Sequence, residues 1–363
     1  MYKKMIQHQI FFDFLRFSIG SESEIPDSLI EADWKELYRI AQKQCLVGIL
    51  FDGIQRLPSS NVGISRDLLL QWMAQCQMLE KANVRLDDAA IQVSEWFRKK
   101  GFRTCILKGQ GNALMYSNPY SRTPGDIDIW VEGGDKRVIS FVRSISPHEK
   151  ACYHHIEFPS YKDVEVEVHY RPSFLLCFWH NRKLQKYYEG VKEEQFSHRV
   201  MLGEQGEIAI PTMEFNLIFQ LTHIYAHLMN EGIGLRQLLD YYYVLISDDS
   251  SLIRDRVQKE LKELGLWMFA GAIMYIMQEV FGMPASRLIV PPNEKYGKFV
   301  LNEVLEAGNF GRHDARNRFG RSQLGHNLQR VYRDIRLVRY FPAEALCEPL
   351  FRTWHFFWRL RHK

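Results

Sequence analysis

Cysteine is sparse and scattered. The six cysteines (Cys45, Cys76, Cys105, Cys152, Cys177 and Cys347) form no CxxC pair, which argues against a zinc site built from them. Isolated cysteines in apolar company, such as Cys105 in TCILKG, read as buried free thiols and fit a reducing, cytoplasmic setting. Long apolar runs are missing as well. No stretch approaches the ~18 uninterrupted apolar residues of a membrane span. The start, MYKKMIQHQIFFDFLRF, is briefly basic but has no small-residue cleavage site, and polar residues interrupt its apolar run. It reads as a helix rather than a signal peptide. Nor does one sign of charge dominate: 47 basic and 43 acidic residues leave a formal charge of +4, too little to commit the molecule to nucleic acid. Repeats and low-complexity segments are absent. What remains is an ordinary globular profile, 46% hydrophobic and 25% charged over 363 residues, with room for two or three domains.

Apolar spacing of three and four predicts helices through residues 1–98, in LIEADWKELYRIAQKQCLVGILFDGI and again in DLLLQWMAQCQMLEKANVRLDDAAIQVSEWF. The stretch from Pro26 to Ser28 starts one helix, and Leu57–Ser60 separates two. At Gly101 the pattern changes. RTCILKG and DIDIWVE read as strands, each followed by a helix (QGNALMYSN and DKRVISFVRSI), and CYHHIEFP and DVEVEVHY as two alternating strands. Residues 99–172 are therefore expected to form an α/β core of the α+β class, and residues 173–363 a second helical region with one small strand, GEIAIPT. Two helices broken at Gly232–Gly234, a loop over 308–325 and helices over about 326–340 and 343–361 complete the reading.

Alternation puts Asp126 and Asp128 on one face of their strand, with Ile127, Ile129 and Val131 on the other. Carboxylates about 7 Å apart along a strand repel one another unless a cation sits between them, and such hard oxygen ligands suit Mg²⁺ or Mn²⁺. In DVEVEVHY, Glu165, Glu167 and His169 share a face by the same logic. Upstream, Lys108-Gly109 ends a strand just where a helix begins, a turn whose amides and ammonium favour a phosphate.

In order, LKGQGNALMYSNPYSRTPGDIDIWV, then VEVHY, then HIYAH and LRQLLD resemble a bacterial family of uncharacterised nucleotidyltransferases within the DNA polymerase β-like superfamily. The resemblance covers most of residues 105–245. It implies a small mixed-sheet catalytic core and metal-dependent transfer of a nucleoside monophosphate from an NTP, ATP first among them, to a hydroxyl. By the same resemblance Asp126, Asp128 and Glu167 hold Mg²⁺ or Mn²⁺, with Glu165 the competitor for the third position. Lys108, Gly109, Gln110 and Arg122 contact the triphosphate. The acceptor is left open between a small molecule, a protein side chain and an RNA end. A catalytically silent nucleotide-binding module on the same fold is the alternative.

Three further features have two readings each. His223 and His227, four apart, could bind zinc, but HIYAH lacks the glutamate of a metalloprotease helix and a packing role is favoured. Arg236 and Asp240 have the spacing of a helix-surface ion pair, with a nucleotide contact by Arg236 as the rival. The arginines between Arg312 and Arg339 either line a solvated face, opposite an apolar stripe of Leu328, Val331, Tyr332, Ile335 and Val338, or bind RNA. The aromatic and basic C-terminus, FRTWHFFWRLRHK, is read as a packing helix before a membrane-surface anchor.

Overall fold

A computed structural model of the chain describes residues 2–58, 63–204, 206–247, 253–314, 316 and 323–362. The first region is helical, as its periodicity predicts: α1 (Tyr2–Ile19), α2 (Trp34–Gln44), α3 (Val47–Arg56) and the long α4 (Arg66–Lys99). The residues after Pro26 form a single short turn, and α2 begins only at Trp34, where the Asp33 carboxylate accepts from the Glu36 amide. Cys45, at φ 55°, breaks the apolar run into α2 and α3. Ser59 and Ser60 lie outside the described residues.

The α/β core contains β1 (Thr104–Ile106), α5 (Gln110–Ala113), β2 (Ile127–Val131), α6 (Gly134–Ile145), β3 (His155–Tyr161) and β4 (Val164–His169). Its four strands lie in the order β1-β2-β4-β3. β2 and β4 run parallel; the two outer pairings are antiparallel. Lys162 and Asp163, both at positive φ, form the two-residue turn of the β3–β4 hairpin, the backbone such a turn demands. Ile127, Ile129, Val131, Val166 and Val168 bury one sheet face against α6 and the C-terminal half of α4. The opposite face carries Trp130, whose ring lies 4.7 Å from that of Phe196 and 5.8 Å from that of Phe215.

Those two rings belong to α7 (Phe178–Ser197) and α8 (Met213–Asn230), which are joined through the hairpin of β5 (Arg199–Leu202) and β6 (Gly206–Ala209). The chain continues through α9 (Leu235–Ser247), α10 (Arg254–Glu263), α11 (Trp267–Phe281), α12 (Glu294–Ala307), α13 (Gln323–Leu337) and α14 (Pro342–Arg361). Side chains from α1 to α3 and from α8 to α14 share one apolar core, so the two helical stretches of the sequence pack together. No helix among the described residues is long and apolar enough to cross a membrane.

α13 lies the other way round from its expected orientation. Leu328, Val331, Tyr332 and Ile335 are exposed, whereas Arg333 and Leu337 are buried. Arg333 donates to the Asn230 and Glu231 carbonyls at the end of α8, and Arg316 and Arg336 pair with Glu303. These three arginines are held by internal partners rather than presented to a polyanion. Arg318 and Arg321 lie outside the described residues.

Candidate active site

Register sets the first contact. Asp128 is the partner of Glu167 across the parallel β2–β4 pair. Asp126, Asp128 and Glu167 each bring a carboxylate oxygen within 4.8 Å of the others. Glu165, two residues before Glu167, is exposed and stands outside this group. Gly109 takes φ 56° and ψ −109°, a backbone state that side chains disfavour. It turns the chain from β1 into α5, and the Lys108 ammonium ends 2.8 Å from Asp128 Oδ2.

Lys108 also donates to His223 Nε2 at 3.0 Å, so the helix-borne HIYAH segment faces the carboxylates. His227, one turn on, pairs with Glu231 at 3.0 Å. The second Asp128 oxygen accepts from His169 Nε2 at 2.9 Å, and His169 Nδ1 donates to the Arg171 carbonyl at 3.3 Å. His155 Nδ1 lies 3.1 Å from Glu167 Oε2. Strand pairing of His155 with His169 brings these rings together. The alternation of CYHHIEFP could have signalled His155, but only with the β3–β4 register known.

Charge follows from these contacts. The Asp128 charge, followed by burial, pushes the Asp126 carboxyl up to about 6. Burial opposes ionisation of Asp128, but Lys108 and His169 overrule it and hold the carboxyl well below its ordinary value. Glu167 is likewise lowered, chiefly by its hydrogen bond from His169 against the effect of burial. His169 rises to about 9 despite burial, because Asp128 and Glu167 hydrogen-bond its charged form. Burial drives His155 down to about 4. An all-carboxylate trio in which the ionisation of one acid is opposed by its neighbour's charge fits a hard divalent cation, which removes that repulsion.

Arg122 and Arg236 both line a small cleft beside the carboxylates, and each has a partner within the fold. Arg122 is buried, and its guanidinium grips both Asp240 oxygens at 2.8 Å. Asp240 is also buried, so it forms no surface pair with Arg236. Arg236 Nη1 donates to the Thr123 carbonyl at 2.9 Å, and its Nε has no hydrogen-bond partner. Arg236 lines a small cleft with Lys108, Gly109, Gly125, Asp126 and Asp128. Gln110 is buried, with its side-chain oxygen unpartnered. The carboxylates also line a second, larger cleft, walled by His155, His169, Phe174 and, from α14, Phe351, Arg352 and His355.

The flanking helices clamp the segment that carries Asp126. Asn83 of α4 donates to the Tyr120 and Arg122 carbonyls at 3.0 and 2.8 Å, and Thr123 donates to the Cys45 carbonyl at 2.8 Å. A Cβ on Gly48 of α3 would meet the Ser121 carbonyl oxygen at 2.2 Å, so only glycine permits this approach.

Residues 31–282 match the model of a family described as uncharacterised nucleotidyltransferase. No curated protein matches the sequence. Among solved structures, the chain is similar to an antigenic nucleotidyltransferase-like protein from Paracoccidioides brasiliensis, at 12% identity over 58% of this chain and 95% of that one, with a TM-score of 0.30.

Proposed function

Because the chain belongs to the uncharacterised nucleotidyltransferase family over residues 31–282, we propose that it moves a nucleoside monophosphate from an NTP, with ATP the first candidate, to a hydroxyl acceptor. The observation that carries this reading is the carboxylate trio. Asp128 and Glu167 are register partners on parallel strands, and Asp126 joins them within 4.8 Å.

In this reading Asp126, Asp128 and Glu167 hold Mg²⁺ or Mn²⁺. The bound ions supply charge neutralisation for the triphosphate and a lowered pKa for the acceptor hydroxyl. The triphosphate lies in the small cleft, where Lys108, the Gly109 amide and the free side of Arg236 offer donors. Lys108 neutralises Asp128 until a cation is bound, and its ammonium then turns to the phosphates. His169 orients Asp128 and Glu167 from beneath. The acceptor enters the larger cleft. Its hydroxyl gives its proton to Glu167, its oxygen bonds the α-phosphorus, and the bond to the leaving pyrophosphate breaks. Positioning and charge neutralisation carry most of the rate, as in other phosphoryl transfers. Arg122 enters as a positioning residue, through Asp240, rather than as a phosphate ligand.

Incubation with each of the four α-labelled NTPs, Mg²⁺ or Mn²⁺ and a cell extract tests the proposal. Label should enter one class of acceptor, whether small molecule, protein or RNA. Absence of label from every class with every NTP would favour the catalytically silent module.

A further inference from the structure

The last two helices, α13 and α14, pack against each other, and Leu337, Phe341, Ala345, Cys347 and Phe351 tie them to the core. Residues 323–363 contain three acids, Asp334, Glu344 and Glu348, and all three are buried. Glu344 Oε2 accepts from the Leu176 and Cys177 amides at 2.6 and 3.3 Å, so an acid fastens the start of α14 to the start of α7. The C-terminal helices thus pack, as their sequence suggests, but through the sides that carry their negative charge.

Their outward sides are the reverse of an ordinary surface helix. On α14, Leu346, Leu350, Trp354 and Phe357 follow at spacings of four, four and three, which is one helix face, and all are exposed. Phe356 and Leu360 beside them are exposed too. On α13, Leu328, Val331, Tyr332 and Ile335 form a similar stripe. Ile335, Leu346 and Leu350 are 66%, 65% and 63% exposed, too open for the rim of a core. Among the described residues, the exposed charges of the two helices and the turn between them are Arg330, Arg339, Arg359 and Arg361, all positive. An exposed apolar face rimmed by charge marks a protein or membrane contact.

We propose that the outward faces of α13 and α14 form a docking surface for an anionic lipid bilayer. Charge complementarity selects this occupant. Leucine and aromatic side chains enter the boundary between headgroups and acyl chains, and the arginines beside them meet the lipid phosphates. A second copy seated on the same face would make a two-fold contact. That contact sets arginine against arginine, with no exposed acid on either helix to pair with them. No helix among the described residues is long and apolar enough to cross a membrane, and α14 carries Arg352, Arg359 and Arg361 within its 20 residues. The helices therefore lie on the bilayer rather than span it. Another side of α14 carries Phe351, Arg352 and His355 into the larger cleft, so docking sets that cleft near the headgroups.

The test uses the full-length chain, and its outcome does not depend on nucleotidyl transfer. Vesicles of mixed phosphatidylglycerol and phosphatidylcholine should carry the protein down on sedimentation. Binding should fall at least roughly tenfold with phosphatidylcholine alone or at high salt. Brominated acyl chains should quench tryptophan emission, and Trp354→Phe should remove most of that quench. Two double variants, Leu350→Gln with Phe357→Gln and Arg359→Glu with Arg361→Glu, should each weaken binding at least roughly tenfold. Their positions are exposed, and circular dichroism checks that both variants fold. Leu70→Gln with Met78→Gln, an exposed apolar pair on α4, should leave binding unchanged. The proposal is overturned if the wild-type chain does not bind the anionic vesicles, or if either folded α14 variant binds them as wild type does. A dimer broken by Leu350→Gln with Phe357→Gln would give the face to a second copy. RNA binding lost in the arginine variant, without vesicle binding, would give it to a nucleic acid. Each of these two results also overturns the proposal.

Discussion

Glu165 and Glu167 share a strand face in the sequence, yet only Glu167 reaches the other two carboxylates. Alternation could not choose between them, because both positions have the same parity. The choice comes from where β4 registers against β2. Glu167→Gln should lower transfer by about 10²–10⁴-fold, the usual range for losing an acid–base group, while Glu165→Gln should stay within about twofold of wild type. Steady-state rates with one labelled NTP check both. Arg122 shows the same limit of sequence reading. The resemblance implied a triphosphate contact for Arg122; its ion-pair partner, Asp240, is 118 residues away in the chain, and no local pattern gives that pairing. Arg236, which pattern reading assigned either to Asp240 or to a nucleotide, lines the small cleft together with Arg122 and Asp240.

At the scale of elements, the strands of the core were legible because their apolar residues alternate, and most helices because theirs recur at three and four. β5 was not: RVML is four residues long and mostly unburied, so no buried face marks it. α13 shows that periodicity identifies a face without saying which way it points. Arg333 and Arg336 are drawn inward by carbonyl groups at the end of α8 and by Glu303, and Leu328, Val331, Tyr332 and Ile335 are left outward. The turn at Gly109 was legible as the point where a strand gives way to a helix, and its backbone angles give a direct test of its proposed role. Gly109→Ala forces a side chain into a disfavoured conformation and should destabilise the fold by about 1–3 kcal/mol. It should also weaken NTP binding by shifting Lys108. Urea unfolding and nucleotide titration measure the two effects separately.

Across the whole molecule, the helices before and after the α/β core form one body around it, and they hold the Asp126 segment from both sides. Arg122 and Asp240 are the buried link between that segment and α9. Burial would raise the Asp240 carboxyl, but the Arg122 charge and hydrogen bonds prevail and hold it below its ordinary value. Its stabilising effect is therefore complete above the unfolded pKa of about 3.9 and is lost as the pH falls through the lower folded value. Asp240→Asn should remove about 3–5 kcal/mol, the expected effect of breaking a buried pair from one side. The difference from wild type should be full at neutral pH and shrink in acid. Urea denaturation across that range checks the sign.

The carboxylate trio is the centre of the account, and Asp128, held by Lys108 and His169 at 2.8 and 2.9 Å, is its most engaged member. The most direct measurement is pyrophosphate release with Mn²⁺ and the NTP that labels best, comparing wild type with Asp128→Asn after circular dichroism has shown both to be folded. Loss of essentially all release in the variant is the predicted result. Equal release by the folded variant and the wild type would contradict the assignment of the site.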